Sequence, residues 1–174
     1  MITIISGTNR KNSISKQVAL QYQEILKSLN MDSTIVDLEN LPADFIASAL
    51  YEKQGTNVDF NPIREHMKVA QKFVFIVPEY NGSFPGILKT FLDALEFPGT
   101  LKGKKCAIVG LSSGIQGGVM AMSHLTDIFN YLGMHVLANK PKLIRINGLM
   151  ENGKVADEAY LKRLKTQAQD IINF

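Results

Sequence analysis

The chain has 174 residues, of which 45% are hydrophobic and 20% are charged, and its formal net charge is +3. This length and composition are typical of one globular domain, so we predict a single domain over residues 1–174. The small, evenly spread charge argues against a nucleic-acid-binding protein, and the lone Cys106 excludes an internal disulfide. We see no cluster of metal ligands, no secretory leader and no apolar run near the roughly 20 residues of a membrane span, so we expect a cytoplasmic protein.

Apolar runs alternate with amphipathic segments along the chain. The predicted elements are a strand at 2–6, a helix at 16–29, a strand at 33–38, short helices at 42–50 and 62–70, a strand at 73–77, a helix at 84–95, a strand at 104–111, a helix at 118–132, a fifth strand shared between 135–137 and 142–146, and a helix at 157–172. A strand followed by a helix, five times over, predicts a parallel sheet that is covered on both faces. We therefore expect an α/β, flavodoxin-like three-layer sandwich with a five-stranded parallel sheet in the order 2-1-3-4-5.

The most informative segment is the loop over residues 77–86, directly after the third strand. An Asn-Gly pair at 81–82 and a Pro-Gly pair at 85–86 are turn signals that expose backbone N–H and C=O groups. Tyr80 and Phe84 place flat apolar surface beside those groups. Because open α/β sheets bind ligands at this edge, the loop suits a flat heteroaromatic ligand with polar edges. A plain strand-to-helix connection with locally packed aromatics is the alternative.

The loop over residues 6–16 connects the first strand to the first helix. Free N–H groups at a helix start, together with the helix dipole, favour an anion. The hydroxyls of Thr8, Ser13 and Ser15 add donors, and the guanidinium of Arg10 adds charged ones, so the loop suits a phosphate monoester. Helix capping by either serine, with Arg10 in solvent, is the alternative and is compatible with phosphate binding. No G-x-G-x-x-G or G-x-x-x-x-G-K-[ST] pattern occurs, so neither a dinucleotide site of that type nor ATP hydrolysis is supported.

Two motifs carry a resemblance to a known family. Pro-Glu-Tyr-Asn-x-Ser-x-Pro-Gly-x-Leu-Lys, over residues 78–89, resembles the flavin-contacting loop of the NAD(P)H-dependent FMN reductases, which include azoreductases, quinone reductases and chromate reductases. Residues 7–13 are similar to that family's Gly-Ser-x-Arg-x-x-Ser phosphate loop, and Thr8 keeps the hydroxyl of the usual serine. The resemblance implies FMN as the cofactor. The residues that it implies are Thr8, Arg10, Ser13, Ser15 and Lys16 at the phosphate, Pro78, Glu79, Tyr80, Asn81 and Gly82 along the isoalloxazine, mainly through their backbone, and Ser113 and Gly114 at the pyrimidine side.

The resemblance also implies a function. It implies an enzyme in which NADPH or NADH gives hydride to bound FMN, after which a small acceptor takes the electrons in a ping-pong cycle. Free flavin, a quinone, an azo compound or a metal oxyanion could each be that acceptor. Such a cycle needs no protein nucleophile or acid–base pair, so we predict no catalytic side chain, and we expect structural or surface roles for His66, His124 and His135.

The resemblance further implies a homodimer or homotetramer, since family members typically close the pocket with a second subunit. A non-catalytic flavodoxin-type FMN electron carrier is the main alternative. Such carriers tend to be strongly acidic, whereas this chain is slightly basic. A non-enzymatic binder of a phosphate ligand on the same scaffold is the third possibility.

Overall fold

A parallel sheet forms the middle layer of the fold. The computed structural model describes residues 1–174. The main strands are β1 (Ile2–Ser6), β2 (Ser33–Asp37), β3 (Lys72–Pro78), β4 (Lys105–Leu111) and β5 (His135–Val136). Their order is β2-β1-β3-β4-β5 and every neighbouring pair is parallel, which confirms the predicted topology. A short strand, β6 (Lys142–Leu143), also pairs with β4.

Helices cover both faces of this sheet. They are α1 (Ile14–Ser28), α2 (Phe45–Ser48), α3 (Asn61–Val69), α4 (Gly86–Asp93), α5 (Val119–Tyr131) and α6 (Glu158–Asn173). The first helix begins two residues earlier than predicted, because the Ser13 hydroxyl accepts a hydrogen bond from the Lys16 N–H at 3.1 Å and caps the helix. No helix combines the length and the apolar character that crossing a membrane requires.

Successive residues of β3 supply two separate cores. Phe73 and Phe75 are buried with residues of α3, α4 and α5, while Val74 and Ile76 are buried with residues of α1 and α6. This alternation follows from the two-residue period of a strand, and it explains why β3 is apolar along its length. With its body buried on both faces, the sheet can bind a ligand only at its edges or ends.

The chain after β5 differs from the prediction. The predicted strand over 142–146 ends at Leu143, since Arg145 takes a positive φ of 46°. Residues Ile146–Leu149 form a 3₁₀ turn, followed by a hairpin that the sequence reading missed. Its strands are β7 (Met150–Glu151) and β8 (Lys154–Val155), joined by an Asn-Gly pair at 152–153 with φ of 48° and 77°.

Candidate functional site

The carboxyl ends of the sheet strands surround a cleft of about 410 Å³. The loops after β1, β3 and β4 line it, together with the 3₁₀ turn at Ile146–Leu149. Its volume is in the range of small-molecule and cofactor sites. Of the predicted binding residues, those that line the cleft are Thr8, Arg10, Ser13, Ser15, Pro78, Glu79, Tyr80 and Ser113. These residues come from three separate stretches of the sequence, at 8–15, 78–80 and 113, and the parallel topology brings the three stretches to one edge of the sheet.

The loop after β1 presents a run of unpaired backbone donors. The N–H groups of the five residues 11–15 donate to no protein atom. They lie where the positive end of the α1 dipole meets the cleft. Thr8 and Ser15 are each 1% exposed and place hydroxyls beside this run, while Arg10 is exposed and forms no ion pair in the protein. This donor set fits a phosphate monoester.

Lys16 does not join this group. Its ammonium lies 3.0 Å from a carboxylate oxygen of Asp37 and 3.1 Å from one of Glu39, at the end of β2. Hydrogen bonds to these two carboxylates, with that of Asp37 first, raise the pKa of Lys16. Lys16 is not among the residues that line the cleft, so the structure does not bring it together with the other residues predicted at the phosphate.

A tight turn follows β3. Tyr80 and Ser83 exchange two backbone hydrogen bonds of 2.7 Å and 3.0 Å, and the residues between them, Asn81 and Gly82, take φ of 51° and 74°. An Asn-Gly pair adopts these positive φ values readily, so the sequence favours this turn. The N–H groups of Asn81 and Gly82 donate to no protein atom. These two residues stand beyond the cleft lining, at its rim, and offer a pair of free donors there.

Glu79 anchors the start of this loop to α5. One of its carboxylate oxygens accepts a hydrogen bond of 3.1 Å from the N–H of Gly118, directly before α5. A carboxylate at a helix N-terminus is stabilised by the helix dipole. The N–H of Glu79 is also engaged, since it donates to the Leu111 carbonyl at 2.9 Å. Glu79 therefore shapes the cleft wall, and neither its N–H nor this oxygen is free for a ligand.

The loop after β4 is held by its own hydrogen bonds. The Ser112 hydroxyl accepts from the Gly117 N–H at 2.9 Å and donates to the Gly114 carbonyl at 3.1 Å. The Gly114 carbonyl also accepts from the Arg145 N–H at 2.8 Å, so it faces the protein, and Gly114 lies outside the cleft lining. The N–H groups of Ser113 and Gly114 remain unpaired.

Sequence reasoning missed several residues of the cleft. Ile146 and Asn147 reach it because the chain leaves the sheet after Leu143. The Asn-Gly pair at 147–148 is a turn signal that could have revealed this departure. Lys11, within the first loop, also lines the cleft and adds a second cation near the unpaired donors.

Residues 1–143 match the family model of the NADPH-dependent FMN reductases. The chain belongs to this FMN reductase family. It is 32% identical to a 2-hydroxy-1,4-benzoquinone reductase of a Burkholderia species, over 95% of this chain and 90% of that protein. It is 30% identical to an NAD(P)H-dependent FMN reductase of Pseudomonas aeruginosa, over 95% of this chain and 89% of that protein.

A solved structure supports the fold. FerB, a flavoenzyme NAD(P)H:(acceptor) oxidoreductase of Paracoccus denitrificans, superposes with a TM-score of 0.80 at 20% identity, over 99% of this chain and 94% of that chain. Membership of the FMN reductase family confirms the predicted enzyme class, an FMN-dependent oxidoreductase that uses NAD(P)H. The cleft fits FMN, because unpaired donors and Arg10 suit its phosphate and the turn at Tyr80–Ser83 offers donors beside an aromatic ring.

Proposed function

We propose that this FMN reductase holds FMN across the cleft and reduces a small quinone at the expense of NADPH or NADH. FMN, when bound, would supply the hydride and electron transfer between nicotinamide and quinone, in a ping-pong cycle. The observation that carries the proposal is the run of unpaired N–H groups over residues 11–15, on the same cleft as Tyr80. One end of the cleft suits a phosphate and the other suits a planar ring.

The protein residues act by binding and orientation. Thr8, Arg10, Ser13 and Ser15 are assigned to the phosphate. The N–H groups of Asn81 and Gly82, and those of Ser113 and Gly114, are assigned to the polar edges of the ring system. Fixed N–H donors stabilise negative charge that develops on a bound group. Pro78 and Glu79 support this arrangement by fixing the path of the loop.

The surface beside the turn favours a flat apolar acceptor. Met120 is 49% exposed and Tyr80 is 37% exposed. Met120 lies close to the turn, since its Sδ is 3.9 Å from the position that a Cβ on Gly82 would take. A quinone is flat and largely apolar, and a relative of this chain is named for the reduction of a benzoquinone.

Turnover separates the reductase from an electron carrier. Purified protein reconstituted with FMN is mixed with NADPH or NADH and with benzoquinone, and nicotinamide oxidation is followed by absorbance. We expect quinone-dependent oxidation with parallel lines in double-reciprocal plots, as a ping-pong cycle requires. Protein that binds FMN and oxidises neither nicotinamide would be a flavodoxin-type carrier. Protein that binds no FMN would contradict the whole assignment.

We also propose a homodimer that forms through the face of α4 and α5. A groove of about 630 Å³ lies there, and Phe97 and Tyr131 are 64% and 80% exposed beside it. Their rings stack 6.2 Å apart, and exposed aromatic residues are enriched at interfaces. The exposed face of α5 continues from Tyr131 through Asp127 and His124 towards the cleft, so a second copy seated here would lie beside the flavin site.

The assembly is tested by light scattering at micromolar concentration. We expect the mass of a dimer, or of a homotetramer if two dimers associate, and Tyr131→Lys should shift it towards the monomer. Leu20→Lys is the matched control, because Leu20 is 48% exposed on α1, at the opposite face of the sheet. A monomeric wild type would contradict the proposal.

We propose a cytoplasmic location for the enzyme, since the cytoplasm supplies its electron donor, NAD(P)H.

A further inference from the structure

A side-chain contact joins the turn after β3 to the middle of α5. The hydroxyl of Ser83 lies 2.9 Å from Nδ1 of His124. His124 is exposed and Ser83 is half-buried, and the two residues are 41 positions apart in sequence. This is the one side-chain hydrogen bond made by residues 81–85. It acts on the far side of the turn, beyond the tip that carries Asn81 and Gly82.

The turn is held together by its own hydrogen bonds. Tyr80 and Ser83 are bonded to each other in both directions, so a displacement of Ser83 carries the tip with it. On the near side, Glu79 is fixed to Gly118 at 3.1 Å and Tyr80 lies 2.8 Å from the Thr8 hydroxyl. These contacts hold the residues at the start of the turn, and Phe84 after it packs against the core. Between these points, the contact between Ser83 and His124 is the one side-chain hydrogen bond that ties the turn to α5.

The helix that carries His124, α5, is packed against the core on its other face. Ala121 and Leu125, its neighbours on the buried face of α5, are fully buried. One helical turn before His124, Met120 approaches the turn at Gly82. The tip therefore rests on α5 at Met120 and is bonded to it at His124. Hydrogen-bond donors stabilise a ligand well only when such supports hold them in a fixed direction.

We propose that His124 is a positioning residue for the flavin, acting through Ser83 on the direction of the Asn81 and Gly82 N–H groups. This inference rests on the proposed function, in which that turn lies along the FMN ring. It assigns His124 no proton transfer and no direct contact with the phosphate. The effect on binding should therefore concern the ring alone, and it should be equal for FMN and for riboflavin.

The test is a set of variants measured for FMN and riboflavin binding by flavin fluorescence. His124→Phe and Ser83→Ala each remove one partner of a single hydrogen bond. We expect each variant to bind FMN and riboflavin about two- to tenfold more weakly than the wild type does. The loss of flavin affinity in the double variant should not exceed the larger of the two single losses, because the two changes remove the same contact. His124→Asn keeps a nitrogen or oxygen at the position of Nδ1 and should recover most of the loss. His135→Asn is the control, since His135 is exposed on β5.

The outcomes distinguish the positioning role of His124 from the proposed function of the protein. Additive losses in the double variant, or an Asn variant no better than the Phe variant, would overturn the positioning role. Variants that bind both flavins like the wild type would overturn it as well, while leaving the proposed function intact. A wild type that binds neither flavin would overturn the proposed function itself. Reduction potentials of bound FMN provide a second readout, and we expect His124→Phe and Ser83→Ala to shift the potential in the same direction and the Asn variant to restore it.

Discussion

The hydroxyl oxygens of Thr8 and Tyr80 lie 2.8 Å apart and connect the loop after β1 to the turn after β3. The Thr8 oxygen also accepts a hydrogen bond of 3.3 Å from the Arg10 N–H. A hydroxyl has one hydrogen and two lone pairs. If the Tyr80 hydroxyl donates to Thr8, both lone pairs are used and the Thr8 hydrogen is free for a ligand phosphate. The two ends of the cleft are therefore linked through one buried oxygen.

This link predicts unequal effects of two conservative variants. Thr8→Val keeps the shape of the side chain and removes a phosphate donor, so we expect FMN to bind about three- to tenfold more weakly. Tyr80→Phe removes only the hydroxyl that orients Thr8, and we expect a smaller loss of about two- to threefold. Fluorescence titration with FMN measures both. A larger loss in Tyr80→Phe than in Thr8→Val would contradict this division of roles.

Arg10 provides a test that separates the phosphate from the ring. Hydrogen bonds to charged groups are stronger than neutral ones, so Arg10→Ala should weaken FMN binding about ten- to a hundredfold. Riboflavin lacks the phosphate, and its affinity should not change. Lys27→Ala serves as the control for general electrostatics, because Lys27 is an exposed cation in the last turn of α1, away from the cleft. Equal losses for FMN and riboflavin would remove the phosphate role of Arg10.

The sequence predicted the sheet and its edge well because burial and turn chemistry are local signals. The apolar run before Pro78 marks a strand buried on both faces, and the Asn-Gly pair at 81–82 marks a tight turn, as the structure has it. The direction of a polar side chain is not a local signal. Lys16 lies at the start of α1, yet two carboxylates at the end of β2 attract it, and those neighbours become visible only in three dimensions.

The pairing of backbone groups is equally hidden from the sequence. The family resemblance implied backbone contacts for all five residues 78–82, but Glu79 and Tyr80 have their N–H groups engaged within the protein, and Pro78 has none. Only the N–H groups of Asn81 and Gly82 remain without an acceptor, because any acceptor would have to lie outside the turn. The contact between Ser83 and His124 depends in the same way on the position of α5 against the loop.

The close packing of β4 against the following loop requires a glycine at position 110. A Cβ on Gly110 would lie 2.5 Å from the Gly117 carbonyl oxygen and 2.9 Å from Sδ of Met122. We expect Gly110→Ala to lower the free energy of unfolding by about 1–3 kcal/mol, as overpacking usually does. Chemical denaturation measures this change. Gly99→Ala is the control, since nothing lies within 4 Å of a Cβ there, and it should cause no loss of stability. Equal effects of the two variants would show that β4 can yield to the added methyl group.

The thiol of Cys106 should be inert in the folded protein. It is fully buried in β4, and burial raises its pKa from 9.0 to about 12, although the charge of Lys140 opposes this shift. Reaction with Ellman's reagent at pH 8 should therefore be negligible in buffer and fast in guanidinium chloride, since the thiolate is the reactive form. Reaction in buffer at the rate of the unfolded chain would contradict the burial of this thiol.

The same shift predicts how stability depends on pH. Because the folded pKa of Cys106 lies above the unfolded one, the folded protein keeps a proton that the unfolded chain releases between about pH 9 and pH 12. The contribution to stability is complete below pH 9 and is lost as the pH rises through this window. Cys106→Ala lacks the titrating group. The free energy of unfolding of the wild type should therefore fall relative to that of Cys106→Ala as the pH rises from 9 to 11, and a constant difference between the two proteins would contradict the shift.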